Sequence, residues 1–147
     1  MVAVVQDLLP EREARMTGDG AALFGRGTSF PVRIGTDGRV AWSTGDANIR
    51  ESIRTILLTD PGERIMLPDF GGGLRTFLFE PNTPATHALM EDRIMRALRR
   101  WEPRITVTGV SVLEDADEPE QANVTIAYEL VATARTDQLD LAVRLTG

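Results

Sequence analysis

The chain has 147 residues, a formal net charge of −6 and no cysteine. Its length suits a single domain, because a chain of this size buries about 70% of the surface that its unfolded form exposes. The acidic charge disfavours nucleic acid and anionic membranes as partners, and the absence of cysteine excludes disulfides and thiolate metal sites. We therefore expect a cytosolic protein with no nucleic-acid and no membrane partner.

Residues 1–29 are predicted to form an N-terminal extension or arm, and residues 30–147 the domain itself. The extension combines an apolar patch, a charged cluster and a glycine-rich stretch from Gly18 to Gly27. No basic region precedes the apolar patch, so a secretory signal is not expected, and no apolar run approaches the roughly 20 residues that cross a bilayer. The patch either docks on a partner or on the domain, or belongs to a frayed terminus.

A β-hairpin is predicted from Phe30 to Trp42. Two short extended runs there flank the tripeptide Thr-Asp-Gly at 36–38, and an Asp-Gly pair between alternating apolar residues is a strong hairpin signal. The first helix is predicted to run from Asp46 as N-cap to about Thr59, because the next residue precedes a proline and is displaced from helical geometry. Its apolar face is formed by Ile49, Ile53, Ile56 and Leu57.

The segment 60–63, Asp-Pro-Gly-Glu, matches a type II turn, in which proline takes the second position and glycine supplies the positive φ of the third. A short extended piece is predicted for Ile65 to Leu67, and a flexible loop for Phe70 to Gly73. Leu74 to Leu78 predict one or two turns of apolar helix, which Pro81 ends.

Thr83-Pro84 predicts the start of the longest helix, with threonine as N-cap and proline in the first helical position. That helix carries apolar residues at helical spacing and is ended by Pro103. Beyond it the apolar period changes to two, which predicts three strands joined by short loops. The first strand has a bulge at Gly109, where the alternation breaks phase, and the acidic loop 114–121 separates it from the second.

These elements predict an α+β fold in a single domain. The antiparallel sheet is expected to combine the N-terminal hairpin with the C-terminal three-stranded meander. The two main helices are expected to pack on one face of that sheet.

Catalytic chemistry is not expected from the residues present. A hydrolytic triad needs a base within hydrogen-bond reach of its nucleophile, and the one histidine of the chain, His87, lies on the long helix. Glycoside hydrolysis needs two carboxylates across a cleft, one with a raised pKa, but each candidate has an arginine close in sequence that would lower its pKa. These candidates are Glu63, Asp69, Glu80 and Glu102.

Metal and cofactor sites are not expected either. The acidic loop lacks the spaced ligands and the central glycine of an EF-hand, so it is interpreted as a solvated hairpin loop. The segment 18–20, Gly-Asp-Gly, lacks the other glycines of a dinucleotide motif and the lysine of a P-loop.

Two pairs of charged residues adjoin rigid points of the backbone. Glu63 and Arg64 follow the Pro-Gly turn, and Glu102 and Arg104 flank Pro103. Glutamate and arginine in such places form bidentate, charge-assisted bonds that fix one element against another. Two roles are open for them: a brace within the molecule, or a latch that faces a partner.

Several segments between about residues 25 and 113 follow the order and spacing of a known family. They are GRGTSFPV from Gly25, NIRESIRTILLT from Asn48, PGER from Pro61, PDFG from Pro68, LFEP from Leu78 and WEPRI from Trp101. In these segments the chain resembles the small baseplate wedge and sheath-initiator proteins of contractile phage tails and contractile injection systems, often labelled lysozyme-like phage tail proteins.

The resemblance implies a structural protein, not an enzyme, that joins the core bundle of the baseplate wedge to the first ring of sheath subunits. It implies wedge proteins and the sheath protein as partners, the spike, hub or inner-tube initiator as further ones, and six copies per baseplate. The edge strand of the C-terminal meander is expected to accept strands of sheath subunits by backbone pairing, and so to initiate sheath assembly.

The resemblance also assigns roles to residues. Glu102, Pro103 and Arg104 match a motif associated with packing against wedge partners and with core stability, and Glu63 and Arg64 match a second charged element. The other candidates are expected to shape turns or to anchor the core: Pro61, Gly62, Pro68, Phe70, Gly71, Phe79 and Trp101.

Two other functions are open at this stage. One is an adaptor of the same fold that binds another cytosolic partner, since a fold alone does not fix function. The other is a muramidase that acts during passage through the cell wall. The sequence does not distinguish a phage tail from a type VI secretion apparatus or an extracellular injection device as the particle whose baseplate the protein joins.

Overall fold

A computed structural model of the chain describes residues 24–28 and 32–146. The described residues form an α+β fold with two main helices and a three-stranded antiparallel meander, as predicted. The elements in chain order are β1 (Arg26–Thr28), β2 (Trp42–Thr44), α1 (Gly45–Leu58), a 3-10 helix (Leu74–Phe79), α2 (Pro84–Trp101), β3 (Ile105–Glu114), β4 (Gln121–Leu130) and β5 (Arg135–Arg144).

The core lies between one face of the β3-β4-β5 sheet and the two helices. On β4 every second residue from Ala122 to Leu130 is buried, because side chains of a strand point alternately to its two faces. The buried side chains of β5 and of both helices join the same cluster. Its largest fully buried members include Ile49, Ile53, Met90, Ile94, Leu98, Ile126, Tyr128 and Leu139.

The predicted bulge in β3 is confirmed, since the pairing register with β4 shifts between Val107 and Gly109. Before the shift Ile105 and Val107 are buried, and after it Val112 is. These residues have opposite parity, so a regular strand would send Val112 to the solvent face. The extra residue of the bulge returns the apolar series to the core.

The predicted N-terminal hairpin does not extend the main sheet. Its turn at 36–38 is closed by a single bridge, Ile34 to Val40, and by a hydrogen bond from Ala41 N to Arg33 O of 2.8 Å. Instead, β1 and β2 pair with each other in a separate two-stranded sheet. The start of the predicted hairpin and most of the predicted arm, residues 1–23 and 29–31, lie outside the described residues.

The two helices differ in how they begin. For α2 the prediction is confirmed, because Oγ1 of Thr83 accepts a hydrogen bond from Thr86 N at 3.3 Å and Pro84 takes the first helical position. For α1 the predicted N-cap Asp46 is wrong, since Thr44 occupies that position. The carboxylate of Asp46 pairs with Arg135 of β5 and therefore does not cap its own helix.

A second ion pair fixes α1 on the sheet. Nη2 of Arg50 lies 2.8 and 2.9 Å from the two carboxylate oxygens of Asp137 on β5, and the hydroxyl of Tyr128 donates to the same carboxylate at 3.2 Å. Burial and the neighbouring Asp137 charge raise the pKa of Tyr128 above its ordinary range. Tyr128 is therefore a neutral donor at every physiological pH.

The type II turn after α1 is confirmed, because Gly62 has a φ of +94° and Glu63 N donates to Asp60 O at 3.1 Å. The extended piece predicted for 65–67 is wrong. No described strand pairs with that segment. It forms turns closed by local hydrogen bonds, such as Leu67 N to Arg64 O at 3.3 Å. Ile65 and Met66 are 96% and 89% exposed.

The loop 70–73, predicted to be flexible, is bonded to the end of α1. Gly72 N donates to Ile56 O at 2.7 Å and Gly73 N to Thr59 O at 3.0 Å, so the loop satisfies carbonyls that a helix end leaves unpaired. Gly71 has a φ of +120°, and a Cβ there would lie 2.1 Å from the carbonyl oxygen of Thr59. The close contact with the backbone of Thr59, and not a need for flexibility, explains why glycine occupies position 71.

We predict that Gly71→Ala and Gly62→Ala differ in cost. At Gly62 a Cβ meets nothing within 4 Å, so the change costs only the left-handed backbone conformation, about 1–2 kcal/mol. At Gly71 the contact with Thr59 is added, and the expected loss is at least about 3 kcal/mol. Urea unfolding of both variants measures this, and equal losses would contradict it.

Candidate functional site

The Glu102-Pro103-Arg104 motif folds back on itself at the end of α2. Arg104 donates from Nε to Oε1 of Glu102 at 2.7 Å and from Nη2 to Oε2 at 2.6 Å, which makes the pair bidentate. Pro103 between them fixes φ and so favours this return of the chain. Glu102 is 1% exposed, whereas the Arg104 side chain is 31% exposed.

This ion pair also holds α1 and the segment 24–28. The side chain of Ser52 on α1 hydrogen-bonds to Glu102. Nη1 of Arg104 donates to the carbonyl oxygen of Phe24 at 2.7 Å, to which Asn48 also donates at 3.4 Å. These polar contacts tie the motif to α1 and to the segment 24–28.

The environment of Glu102 favours its charged form. Burial alone would raise its pKa, but the hydrogen bonds from Arg104 and Ser52 and the charge of Arg104 outweigh burial, so that the pKa lies below the ordinary 4.5. The hydrogen bond to Glu102 in turn raises the pKa of Arg104. Both groups are therefore ionised at neutral pH.

Glu63 and Arg64, predicted as a second pair, have separate partners. Glu63 Oε2 accepts a hydrogen bond from Asp60 N at 2.8 Å and closes its own turn, and Oε1 lies 3.4 Å from Arg75. The guanidinium of Arg64 stacks over the ring of Phe70, with Cζ 3.9 Å from the ring centroid. Neither residue contacts the Glu102 motif through an ion pair within the described residues.

The aromatic candidates divide into two groups. Phe70 is buried and packs against Trp101, with 5.2 Å between the ring centroids, and Pro68 O accepts a hydrogen bond from Gly62 N at 2.7 Å. Phe79, predicted as a core anchor, is instead 75% exposed. In a 3-10 helix residues three apart share a face, so Leu74 and Phe77 point to the core while Phe79 does not.

Asn48 and Ser52 are site residues that the sequence did not single out. They lie four positions apart on α1 and therefore share one side of that helix. This polar row adjoins the apolar face that contains Ile49 and Ile53. The spacing of Asn48 and Ser52 was the signal in the sequence that could have identified them. The sequence does not show, however, that the end of α2 lies next to these two residues.

His87, the candidate for a catalytic base, is hydrogen-bonded to a loop residue. Nε2 of His87 lies 2.5 Å from Oδ1 of Asn82, and that amide also donates to Pro119 O and Gln121 O, so the histidine fixes a loop. No group of His, Asp or Glu among the described residues is arranged to hold a metal ion. In the same residues no helix is long and apolar enough to cross a membrane.

The sequence and the fold both match known baseplate proteins. A family model described as baseplate wedge protein gp25 matches residues 43–135. Baseplate wedge protein gp25 of Enterobacteria phage T4 is 38% identical over 101 residues, which are 69% of this chain and 70% of that protein. The chain spans 61% and 70% of the length of two of the curated relatives it matches.

Two solved structures share the fold. A chain in the baseplate of the anti-feeding prophage, reconstructed by electron cryomicroscopy with six-fold symmetry, has a TM-score of 0.68 and 33% identity over 74% of this chain and 87% of its own length. A Geobacter sulfurreducens protein provisionally described as a tail lysozyme has a TM-score of 0.65 and 32% identity over 74% of this chain and 98% of its own.

Together these matches define the class of protein to which the fold and the braced site belong, the structural components of a baseplate. The chain belongs to the baseplate wedge protein gp25 family of contractile phage tails and tail-like injection systems. The resemblance inferred from the sequence segments is confirmed.

We predict that Arg104→Ala strongly destabilises the isolated protein. The change leaves the buried carboxylate of Glu102 without its main partner, and the expected loss in free energy of unfolding is about 3 kcal/mol, at the lower end for a buried pair because Arg104 is partly exposed. Arg96→Ala is the matched control, because its pair with Asp92 is exposed and should cost less than about 0.5 kcal/mol. Equal losses by urea unfolding would contradict the brace.

We also predict a pH dependence that stems from Glu102. Since its pKa is lower in the folded than in the unfolded chain, its stabilisation is complete above 4.5 and is lost as the pH falls through the lowered folded value. Glu102→Gln should therefore be less stable than the wild type at neutral pH, and the difference should shrink in acid. Parallel stability curves from about pH 7 to pH 3 would show that the carboxylate has no such role.

Proposed function

We propose that this protein joins the core bundle of the baseplate wedge to the first ring of sheath subunits and initiates sheath assembly. The contact to the sheath is made by strand addition at the outer edge of β5. The observation that carries this proposal is the difference between the two edges of the β3-β4-β5 sheet.

Among the described residues, no strand pairs with the outer edge of β5, which presents backbone groups at regular intervals. At the end of the ladder Leu145 N donates to Glu120 O at 2.6 Å, and hydrogen-bonded and non-hydrogen-bonded pairs alternate along an antiparallel ladder. Counting back along the register, alternate residues of β5 direct their N–H and C=O groups away from β4. These residues are Thr136, Gln138, Asp140, Ala142 and Arg144.

Within that series one N–H group is already engaged, because Gln138 N donates to Oδ1 of Asp137 at 2.8 Å. The end of the edge is also closed, since Thr146 N donates to Leu78 O at 2.7 Å. Between these points β5 contains no proline and belongs to a strand of 10 residues. An added strand would therefore find outward backbone groups at Asp140, Ala142 and Arg144, of which Ala142 has a buried side chain.

The outer edge of β3 is blocked by contrast. Val112 N, which points away from β4, donates to Oε1 of Glu91 on α2 at 2.9 Å. The close packing of α2 on β3 follows from their connection, because only Glu102, Pro103 and Arg104 separate the two elements. A partner strand is therefore expected at β5 and not at β3.

We propose that the wedge proteins bind at the braced joint, which consists of the Glu102-Pro103-Arg104 motif and the turn after α1. The joint holds the end of α2, the turn after α1 and the segment 24–28 in one arrangement. It thereby shapes the surface that meets the wedge proteins, through Glu63, Arg64, Glu102, Pro103 and Arg104. Contacts with the spike, the hub or the inner-tube initiator, and six copies per particle, are parts of the same proposal. The six-fold symmetry of the anti-feeding prophage baseplate supports the copy number.

The test uses prolines at the two sheet edges. In Ala142→Pro an outward N–H of β5 is lost without removal of a ladder bond to β4. Glu114→Pro is the matched control, because Asp115 N donates to Gln121 O, so that the N–H of Glu114 points outward from β3. We expect particles with Ala142→Pro to contain the protein in sheathless baseplates and particles with Glu114→Pro to be sheathed, as seen by electron microscopy.

Matching thermal unfolding midpoints of the two variants would establish that the edge and not the fold was changed. Should Ala142→Pro unfold, Arg144→Pro removes another outward N–H of the same stretch at an exposed residue. Normal sheaths on the β5 variants, or sheath loss in both the β5 and β3 variants, would overturn strand addition at β5. Capture of an unrelated cytosolic protein in place of wedge and sheath proteins would favour the adaptor.

A further inference from the structure

A groove of about 290 Å³ lies beside the braced joint. It is bordered by α1, by Gly27 of β1, by the loop after the type II turn and by the end of α2. The side chains in it that matter here are Glu51, Arg64, Phe70 and Trp101. The groove lies outside the sheet edge on which the proposed sheath contact depends.

Glu51, which borders this groove, has an unused acceptor. Its Oε2 atom is buried and accepts no hydrogen bond from the described residues. The neighbouring donors of α1 are engaged elsewhere: Thr55 Oγ1 donates to the carbonyl oxygen of Glu51 at 2.9 Å, Ser52 bonds to Glu102 and Asn48 bonds to Phe24. A buried carboxylate oxygen without a donor is costly, so a donor from outside would stabilise the site.

The aromatic side chains of the groove suit a guanidinium. The guanidinium of Arg64 stacks on Phe70, with Cζ 3.9 Å from the ring centroid, and that of Arg100 lies over Trp101, with Cζ 4.7 Å from the ring centroid. The two rings are tilted by 58° to each other, and both side chains line the groove. A planar cation both stacks on aromatic faces and donates to a carboxylate through its fork.

We propose that this groove binds an arginine side chain presented by a partner protein. The guanidinium lies against Trp101 and donates to the carboxylate of Glu51, whose side chain turns Oε2 toward the groove on binding. The exposed apolar side chains of Ile65 and Met66 follow directly after Arg64, so the partner segment carries apolar residues next to its arginine. Charge complementarity selects arginine, because the groove offers an unpaired anionic oxygen and π surfaces in one place.

Arg64 is the internal competitor for this position. In the described part of the chain it stacks on Phe70 and forms no ion pair, and it is exposed. A rotation of its side chain onto Glu51 in solution would fill the site without a partner. The experiment therefore has to show that an external guanidinium reaches Glu51.

The test uses the full-length protein and N-acetyl-arginine amide, whose blocked ends match a residue within a chain. Amide and indole NMR signals are followed during titration, with Trp101 as the reporter and the exposed Trp42 as the internal reference. N-acetyl-citrulline amide, a neutral isostere, is titrated in parallel. We expect a saturable shift of the Trp101 indole signal with the arginine compound, and binding weaker by at least about tenfold with citrulline.

Glu51→Gln is the decisive variant, because it keeps the shape of the side chain and removes its charge. It should weaken binding of the arginine compound by at least about tenfold, whereas Glu80→Gln, at an exposed position, should leave it unchanged. No saturable shift in the wild type, or a shift that survives Glu51→Gln, would overturn the proposal. Since no sheath or wedge protein is present, this outcome is independent of the sheath experiment.

Discussion

The ion pair between Glu102 and Arg104 is the interaction on which the arrangement of the rest depends. A carboxylate that is 1% exposed is tolerated only with strong partners, and here the fork of Arg104 and the hydroxyl side chain of Ser52 supply them. The same guanidinium binds the carbonyl of Phe24. The two charged groups of this pair thus hold the end of α2, the side of α1 and the start of the described chain together.

The brace also bears on the asymmetry of the sheet. Because α2 turns into β3 through the three braced residues, α2 packs along β3, and Glu91 can bind the outward N–H of Val112. The opposite edge, β5, has no strand beyond it in the described residues. The proposed connection of wedge and sheath uses both features, the rigid joint and the strand edge of β5. The carboxylates of the joint are paired with cations, which keep them ionised. Such pairing is better suited to holding structural elements together than to proton transfer in catalysis.

The predictions from sequence succeeded where the cause is local. Helical and strand periods, the Pro-Gly turn, the Thr83 cap and the bulge before Gly109 follow from patterns within a few residues. They failed where a distant partner intervened. Asp46 pairs with Arg135 and so does not cap α1, the loop 70–73 is fixed by carbonyls of α1, and Phe79 faces solvent because the 3-10 helix buries only its Leu74 and Phe77 side.

The sequence by itself determined the family, the α+β class and the positions of the charged motifs, because ordered segments and apolar periods are written in the chain. Only the tertiary structure decided what the motifs contact. It paired Arg104 with Glu102 and stacked Arg64 on Phe70. Among the described residues it left an oxygen of Glu51 without a donor, engaged the outer edge of β3 with α2 and placed no strand beyond β5. The physical reason is that hydrogen bonds and ion pairs depend on distances between elements far apart in sequence, which no local pattern encodes.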